Sequence, residues 1–441
     1  MYQTLRSFLK NLEKNDLLLR IRKEVSPKYE LSAIIVNAQK LGKAVLFEKI
    51  LNSKMVGVSN LAGSRKMLAQ AFDSKEDRLL EDYLRRVSEP IQPVTVRSGP
   101  IHDVVYTDKA DSSLLPIVTH SENDVGPYIT AGIVIAKDPE TGYSNISFNR
   151  MQLKGSLKFG IRMMAPQHLG VIHNKNEAKS RNLEAAVIIG NHPIEMIAGS
   201  TTLPFGVNHF GLAGAIRQEP VKLVKCKTID VEVPADAEIV LEGEIIANIK
   251  EAEGPFADFM QYYVPMADNH VFKLKAITHR ENPIYQTILA GTVEDIHLLA
   301  LSREGKIYQA VKTIGTEVKN VSLVPNLFSG VISIKKRFEG EPKNVAKTAF
   351  DSYTWLKYCI VVDEDVDVYD INDVWWAMAT RSKIDTGVSI KPSAKGFPRD
   401  PHNLHQSKIM IDATAPLSAK KEFIRRHIPG EDTIKIEEYL S

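Results

Sequence analysis

The stretch ITAGIVIAKDPETGYSNISFNRMQL, residues 129–153, sets two β-branched, apolar-rich runs on either side of a cluster of turn formers. Asp138, Pro139 and Gly142 supply the fixed φ and the left-handed freedom that a tight connection needs, so the segment predicts an antiparallel hairpin. Its surroundings have the same texture. From about residue 100 to 290 short β-rich runs are separated by Gly, Pro, Asn and Asp, which predicts an antiparallel sheet or barrel. VEVPADAEIVLEGEIIA, residues 231–247, reads as a further pair of strands around a Pro-Ala-Asp turn.

Outward from this centre the pattern becomes mixed. Leu5, Phe8, Leu9 and Leu12 recur at helical spacing, and Leu31, Ile34, Ile35 and Ala38 form one face of a helix over about 28–41 that Gly42 stops. The β-rich runs AVLFEKI and MVGVSN follow, so the first hundred residues predict a small α/β domain. Past residue 293, EDIHLLALSREGKIYQAVK predicts a hinge helix, KYCIVV a buried strand, INDVWWAMATR a helix and KKEFIRRHI a terminal helix. The expected fold is α+β multidomain: an N-terminal α/β domain over 1–100, a central β-domain over 101–293 and a C-terminal α/β domain over 294–441.

Composition narrows the function classes. With 56 basic against 54 acidic residues and a formal charge of +2, no global field steers the chain to nucleic acid or an anionic membrane. Cys226 and Cys359 stand far apart, which predicts neither a disulfide framework nor a thiolate metal site, and points to a reducing compartment. No stretch approaches the roughly 20 apolar residues that span a bilayer. The expectation is a soluble cytoplasmic protein acting on a small molecule.

The motifs for dinucleotide binding, P-loops, zincins and α/β-hydrolases are missing. DEDVDVYD alternates Asp363, Asp365 and Asp367 like a calcium loop, but Val368 and Val374 stand where that loop needs Gly and Glu, so it reads as a strand end. Trp375 and Trp376 read as core, and His102, His120 and His192 as hydrogen-bonded loop residues.

Ionisable and metal-capable groups concentrate in three stretches: NISFNR at 145–150, APQHLG at 165–170 and EAEGPFADFMQYY at 251–263. The last places Glu253 and Asp258 on either side of a Gly-Pro-Phe-Ala spacer, with Glu251 close by. Asn145 and Arg150 lie five apart, which on an extended strand points them to opposite faces unless a bulge intervenes.

These stretches carry a resemblance. SSLLPIVTHSENDVGPYITAGIVIAKDPETGYSNISFNRMQL, GLAGAIRQEPVKLV, EGPFADFMQYY, IVVDEDVDVYDINDVWWAMATR and SKIMIDAT, in that order, resemble the UbiD family of decarboxylases over about residues 90–415. The resemblance implies a central split β-barrel like that of flavin reductases. It also implies reversible, non-oxidative decarboxylation of an α,β-unsaturated or (hetero)aromatic carboxylic acid with prenylated FMN, which a separate flavin prenyltransferase supplies. A divalent metal, potassium and a homo-oligomeric state, dimer or hexamer, complete the expectation.

By position, Arg150 and Glu253 match the family's ion pair beside the flavin. Asp258 stands where the family has a second glutamate, the one that protonates the product carbon. Asn145 and His168 match two metal ligands, and His209, in GVNHFGLAG, stands where a third ligand is normally glutamate. An Asn-His-His set carries less negative charge and moves preference from magnesium toward manganese, iron or zinc, manganese first; Glu219 is the alternative carboxylate. Ser147, Gln167 and Ser200 correspond to flavin contacts, and Lys408 to a lysine near the cofactor phosphate.

For the substrate, His297, Arg303 and Lys306 on the hinge helix offer charge to a second anionic group, which brings in phosphorylated acids such as trans-anhydromevalonate phosphate; otherwise they form a solvated basic face. Two other readings stay open on the residues alone: a metal-dependent hydrolase with Glu253 activating a metal-bound water, and a non-catalytic flavin-binding member.

Overall fold

The computed structural model describes residues 4–164, 167–400, 402, 406–430, 433–434 and 436–439. The chain forms two compact units, residues 1–305 with 324–327, and 306–323 with 328–441.

The N-terminal helix α1 (Leu5–Lys14) starts at Thr4, whose hydroxyl accepts the Ser7 N–H, and it buries Leu5, Phe8, Leu9 and Leu12, the face its spacing predicts. After β1 (Leu18–Ile21), α2 (Glu30–Lys40) ends just before Gly42, whose φ of 65° only glycine adopts without strain. Strand β2 (Ala44–Phe47) runs parallel to β1 and antiparallel to β3 (Val56–Ser59). A fourth strand, Ile284–Gln286, adds parallel to β3. The N-terminal sheet thus takes its last strand from the far end of the segment expected to be central, which ties both into one compact unit.

Next come β4 (Tyr128–Ile129), β5 (Ile133–Lys137), β6 (Ser144–Phe148), β7 (Met151–Gly155), β8 (Lys158–Ile161), α3 (His168–Glu177), β9 (Leu183–Ile189), α4 (Pro193–Ser200), α5 (His209–Arg217), β10 (Ile239–Glu253) and β11 (Ala267–His279). Their sheet runs β4-β7-β8-β11-β10-β9-β5-β6 with every neighbouring pair antiparallel. The path ends at β4 and β6 without joining them, as a split barrel does. Phe159, Val187, Leu241, Ile245 and Phe272 pack in its core with Leu169 and Ile172 of α3.

The hairpin of residues 129–153 forms between β5 and β6 in the register Lys137↔Ser144, closed by Asp138 N–H on the Tyr143 carbonyl at 2.7 Å. The strands around Pro234-Ala235-Asp236 also form, but they do not pair with each other. Glu232–Pro234 pairs with Lys222–Lys225, while β10 pairs with β9 and β11, because the turn at 234–237 hands the chain from one sheet to another.

Helix α6 (Val293–Thr313) passes from the first unit into the second. There β12 (Glu317–Ser322), β13 (Ser329–Lys335), β14 (Tyr358–Asp363), α7 (Ile371–Arg381), β15 (Val388–Lys391) and β16 (Lys408–Ala413) build a sheet of order β12-β13-β14-β16-β15, parallel at its centre. Asp363 and Asp365 are held by Arg381, so the acidic run is an ion-pair anchor at a strand end. Trp375 corrects the expectation of core, being 67% exposed. Its neighbour Trp376 meets the guanidinium groups of Arg381 and Arg425, at 4.9 and 4.4 Å from its ring centroid. KKEFIRRHI is not a helix. Short 3-10 turns over Leu417–Phe423 give way to extended chain before Pro429, where Arg425 pairs with Asp373 at 2.6 Å instead. Among the described residues no helix is long and apolar enough to cross a membrane.

Candidate active site

The site begins where the chain leaves β6. On that strand Asn145 and Ser147, followed by Asn149, share one face by their period of two. Asn145 Nδ2 donates to Ser147 Oγ at 3.1 Å, Ser147 Oγ to Asn149 Oδ1 at 2.8 Å, and Asn149 Nδ2 to the Arg162 carbonyl at 2.8 Å. Strand β6 ends one side of the sheet path and β7 lies near the other, so Asn149 and Arg150 form the crossing between them. That break, rather than a bulge, sets where Arg150 goes.

Arg150 meets Glu253, the last residue of β10, as a fork: Nε to Oε1 and Nη2 to Oε2, both 3.0 Å. Asn269 of β11 donates to Oε2 at 2.9 Å. Glu253 is fully buried, and three N–H donors satisfy its carboxylate. The Arg150 guanidinium lies 4.7 Å from the centroid of Phe256, which packs against Tyr128 at 4.5 Å. The Tyr128 hydroxyl is buried without a well-formed hydrogen bond, and burial together with the nearby Glu253 charge pushes it far above the usual phenol range.

Beyond Glu253, Gly254 has φ 95° and its N–H reaches Gln152 Oε1 at 3.3 Å. Phe256–Ala257 then pairs with Tyr263–Val264 as a short hairpin. Asp124 fastens it, accepting the Ala257 and Ser121 N–H groups at 2.8 Å each. Asp258 opens the hairpin turn: its N–H donates to the Tyr262 carbonyl, and its Oδ1 accepts the Phe259 N–H at 2.7 Å. Gln261 of the turn reaches the Gly291 carbonyl, and the Gly291 N–H donates to Asp295 at 2.9 Å. Burial raises Asp295 to about 6, with the Asp258 charge adding to the rise.

Tyr143 joins the two imidazoles. Its hydroxyl is 3.5 Å from His168 Nδ1 at the start of α3 and 3.5 Å from His209 Nδ1 at the start of α5. His209 Nε2 faces the Thr201 carbonyl at 3.2 Å, which assigns the proton to Nε2 and leaves a lone pair on Nδ1. Burial lowers His168 and takes His209 down to about 4, so both are neutral donors at neutral pH. Phe205 covers His168 edge-on at 5.1 Å. Neutral imidazole lone pairs converging at one hydroxyl fit a borderline divalent metal.

Other expected residues stand elsewhere. Glu219 lies past the C-terminal end of α5, its N–H on the Gly214 carbonyl at 3.1 Å, at the opposite end of the helix from His209. Glu251 is drawn to Lys158 at 2.9 Å and Lys154 at 3.4 Å. Ser200 Oγ lies between the carbonyls of Ile197 and Leu298 at 2.9 and 2.5 Å, and Gln167 is an exposed residue preceding α3. Lys408 belongs to the second unit, where its ammonium donates to the Thr354 and Leu356 carbonyls and burial lowers it to about 8. His297 corrects both readings made for it. It is buried, its Nδ1 is 2.7 Å from the Ala62 carbonyl, and burial takes it to about 4, so it presents neither charge to a ligand nor a solvated face.

Sequence reasoning passed over Asn269, Tyr128, Tyr143, Asp124 and Asp295. Asp124 and Tyr128 lie within the resembling stretch ENDVGPY and Tyr143 at the hairpin tip, a signal of place but not of role. Asn269 carries no local signal, since only the β10–β11 pairing brings it to Glu253.

Comparison with known proteins identifies the family. Residues 9–87, 92–293 and 296–413 match the N-terminal, Rift-related and C-terminal domains of 3-octaprenyl-4-hydroxybenzoate carboxy-lyase. The anhydromevalonate phosphate decarboxylase of Methanosarcina mazei is 36% identical over 434 residues, covering 97% of this chain and 100% of that one. The UbiD-class enzyme HmfF from Pelotomaculum thermopropionicum, solved in complex with FMN, superposes with a TM-score of 0.94 at 39% identity over 99% of both chains. An evolved dimeric form of it in complex with prFMN superposes at 0.90 with 38% identity, again over 99% of both. The chain belongs to the UbiD family of decarboxylases, the carboxy-lyases whose three domains it shares from end to end.

Proposed function

We propose that this chain binds prenylated FMN beside the Arg150–Glu253 pair and decarboxylates an α,β-unsaturated or (hetero)aromatic carboxylic acid. The observation that carries the proposal is the buried fork itself, a desolvated ion pair completed by Asn269 and walled by Phe256 and Tyr128. Burying such a pair is costly, and its retention at a strand crossing favours a chemical role over a stabilising one.

Asn145, His168 and His209 would hold a divalent metal, manganese first, with Ser147, Gln167 and Ser200 as flavin contacts. The bound cofactor supplies the electron sink that lets the C–CO2 bond break. The protein's residues do the rest. Arg150 keeps Glu253 ionised and aimed, since a carboxylate taking three N–H donors has little use for a proton. Asp258, on its own turn and outside that network, delivers the proton that replaces CO2 on the product carbon. Phe256 and Tyr128 exclude water, which strengthens each polar contact at the reacting centre.

The likeness to the Methanosarcina enzyme puts anhydromevalonate phosphate first in the substrate panel, and the likeness to HmfF keeps heteroaromatic acids beside it. The hydrolase alternative loses its base, because Glu253 is committed to Arg150 and Asn269 rather than directed at a metal-bound water. A homo-oligomer remains part of the proposal.

The test is co-expression with a flavin prenyltransferase, purification without oxygen, and measurement of the absorption spectrum, cofactor mass and CO2 release over the panel. Retention of a modified flavin with turnover of at least one acid supports the proposal. Failure to retain it, or retention with no CO2 from any acid, overturns it.

A further inference from the structure

A second group of metal-capable side chains lies away from the Arg150–Glu253 site. His173 and Glu177 are four residues apart on α3 and so share one face of the helix. His270 approaches them from β11, and the ligand atoms of all three lie within 4.8 Å of one another. The neighbouring residue on β11, Asn269, is the one that bonds Glu253. Consecutive strand residues point to opposite faces, so the sheet separates this cluster from the Arg150–Glu253 pair.

The two imidazoles meet edge to face with centroids 4.6 Å apart. His173 is fully buried, and neither of its ring nitrogens nor either of those of His270 has a hydrogen-bond partner. His173 Nε2 lies 3.5 Å from Glu177 Oε1, too far for a well-formed hydrogen bond. Four orphaned imidazole nitrogens in one place are uncommon, since buried polar atoms are ordinarily satisfied. Burial lowers His173 and brings His270 to about 4, so each ring is neutral and keeps a lone pair.

Glu177 is already oriented. Its Oε1, which faces His173, accepts the Asn248 N–H at 2.9 Å where β10 is bulged and Asn248 has φ 58°, and a carboxylate oxygen has a second lone pair for a ligand. Two neutral imidazoles and one carboxylate are the donors of a three-ligand zinc site, with water as the fourth. Tetrahedral zinc with bonds of about 2.1 Å separates its ligands by roughly 3.4 Å, within reach of side-chain rotation from the present positions.

We propose that His173, Glu177 and His270 form a second divalent-metal site, selective for zinc or cobalt, that clamps α3 to the bulge of β10 and to β11. Because α3 starts at His168, the clamp also holds the helix that carries a ligand of the other proposed metal.

The test uses the full-length protein stripped with chelator and titrated with cobalt(II) and then zinc. Wild type should take up a cobalt equivalent beyond any taken by the Asn145, His168 and His209 set, with visible d–d absorption, displaced by zinc, and its Tm should rise with the metal. The same should hold for His209→Ala, in which the other metal site is impaired. Glu177→Gln and His270→Asn should lose that equivalent and the Tm response while retaining flavin. No cobalt uptake by wild type would overturn the proposal whatever the variants do; so would uptake unchanged in Glu177→Gln and His270→Asn, or lost only in His209→Ala.

Discussion

Arg150 and Glu253, 103 residues apart in the chain, face each other as two parallel 3.0 Å hydrogen bonds at the junction of a strand crossing and a strand end. A lysine presents one compact charge and cannot reproduce the fork. Arg150→Lys should lower the decarboxylation rate of the cofactor-loaded protein on the order of 100-fold or more, with flavin still bound. CO2 release under saturating substrate measures it, and an unchanged rate would remove the fork from the chemistry.

The proposed function gives the proton delivery to Asp258. Asp258→Asn keeps the oxygen that accepts the Phe259 N–H, so the turn should survive. Turnover should fall by about 100-fold or more with flavin still bound, and an undiminished rate of CO2 release would remove Asp258 from the acid role.

His209 puts a neutral imidazole where the family resemblance implies a carboxylate. His209→Glu adds a negative charge to the donor set and should move the metal requirement of flavin retention from manganese toward magnesium. Retained flavin, counted by absorbance after gel filtration with either metal, reads the change.

Glu294 is a buried anchor in the first turn of α6. Its oxygens accept the Asn60 N–H at 2.8 Å and the Leu61 N–H at 2.7 Å, with Ser59 and Ala62 at 3.3 and 3.4 Å. In Glu294→Gln one acceptor becomes an NH2 facing N–H donors. A loss of about 2–4 kcal/mol is expected in denaturant unfolding, without change in the fork's chemistry.

Protonation of His297 should destabilise the fold. Its folded value of about 4 lies below the ordinary 6.5, so the unfolded chain binds a proton first as pH falls. The contribution is complete above pH 6.5 and is lost between there and pH 4, roughly 3 kcal/mol in all. Glu195, raised by burial to about 7, works in the opposite sense as pH rises past its ordinary range. The difference between wild type and His297→Asn across pH 4–7 isolates the histidine, and wild type should show the steeper acid-side loss.

The hairpin of residues 129–153, the α1 face and α7 could be read without a structure, because period-two and period-3.6 patterns and turn residues are local properties. The pairing of Arg150 with Glu253 was also expected, from motifs in family order, and the two side chains do meet. The failures have a common cause. KKEFIRRHI has helical composition, yet Arg425 is drawn to Asp373 and Trp376, partners some fifty residues away in the chain. Trp375 shares its helix with buried Val374, and only the packing of α7 decides which of them meets solvent. His297 reads as a charge in a basic run, but the Ala62 carbonyl and burial make it neutral.

The amino-acid pattern by itself determined the antiparallel centre, the flanking α/β segments and the family, since each rests on motifs of neighbours within a few positions. The tertiary structure alone decided which residues meet. It carried Arg150 across the split sheet to Glu253, added Asn269 to that pair, gathered His168 and His209 on Tyr143, and set His270 against His173 and Glu177. Those contacts join positions tens to over a hundred residues apart, and strand pairing across the sheet, rather than spacing along the chain, sets their distances.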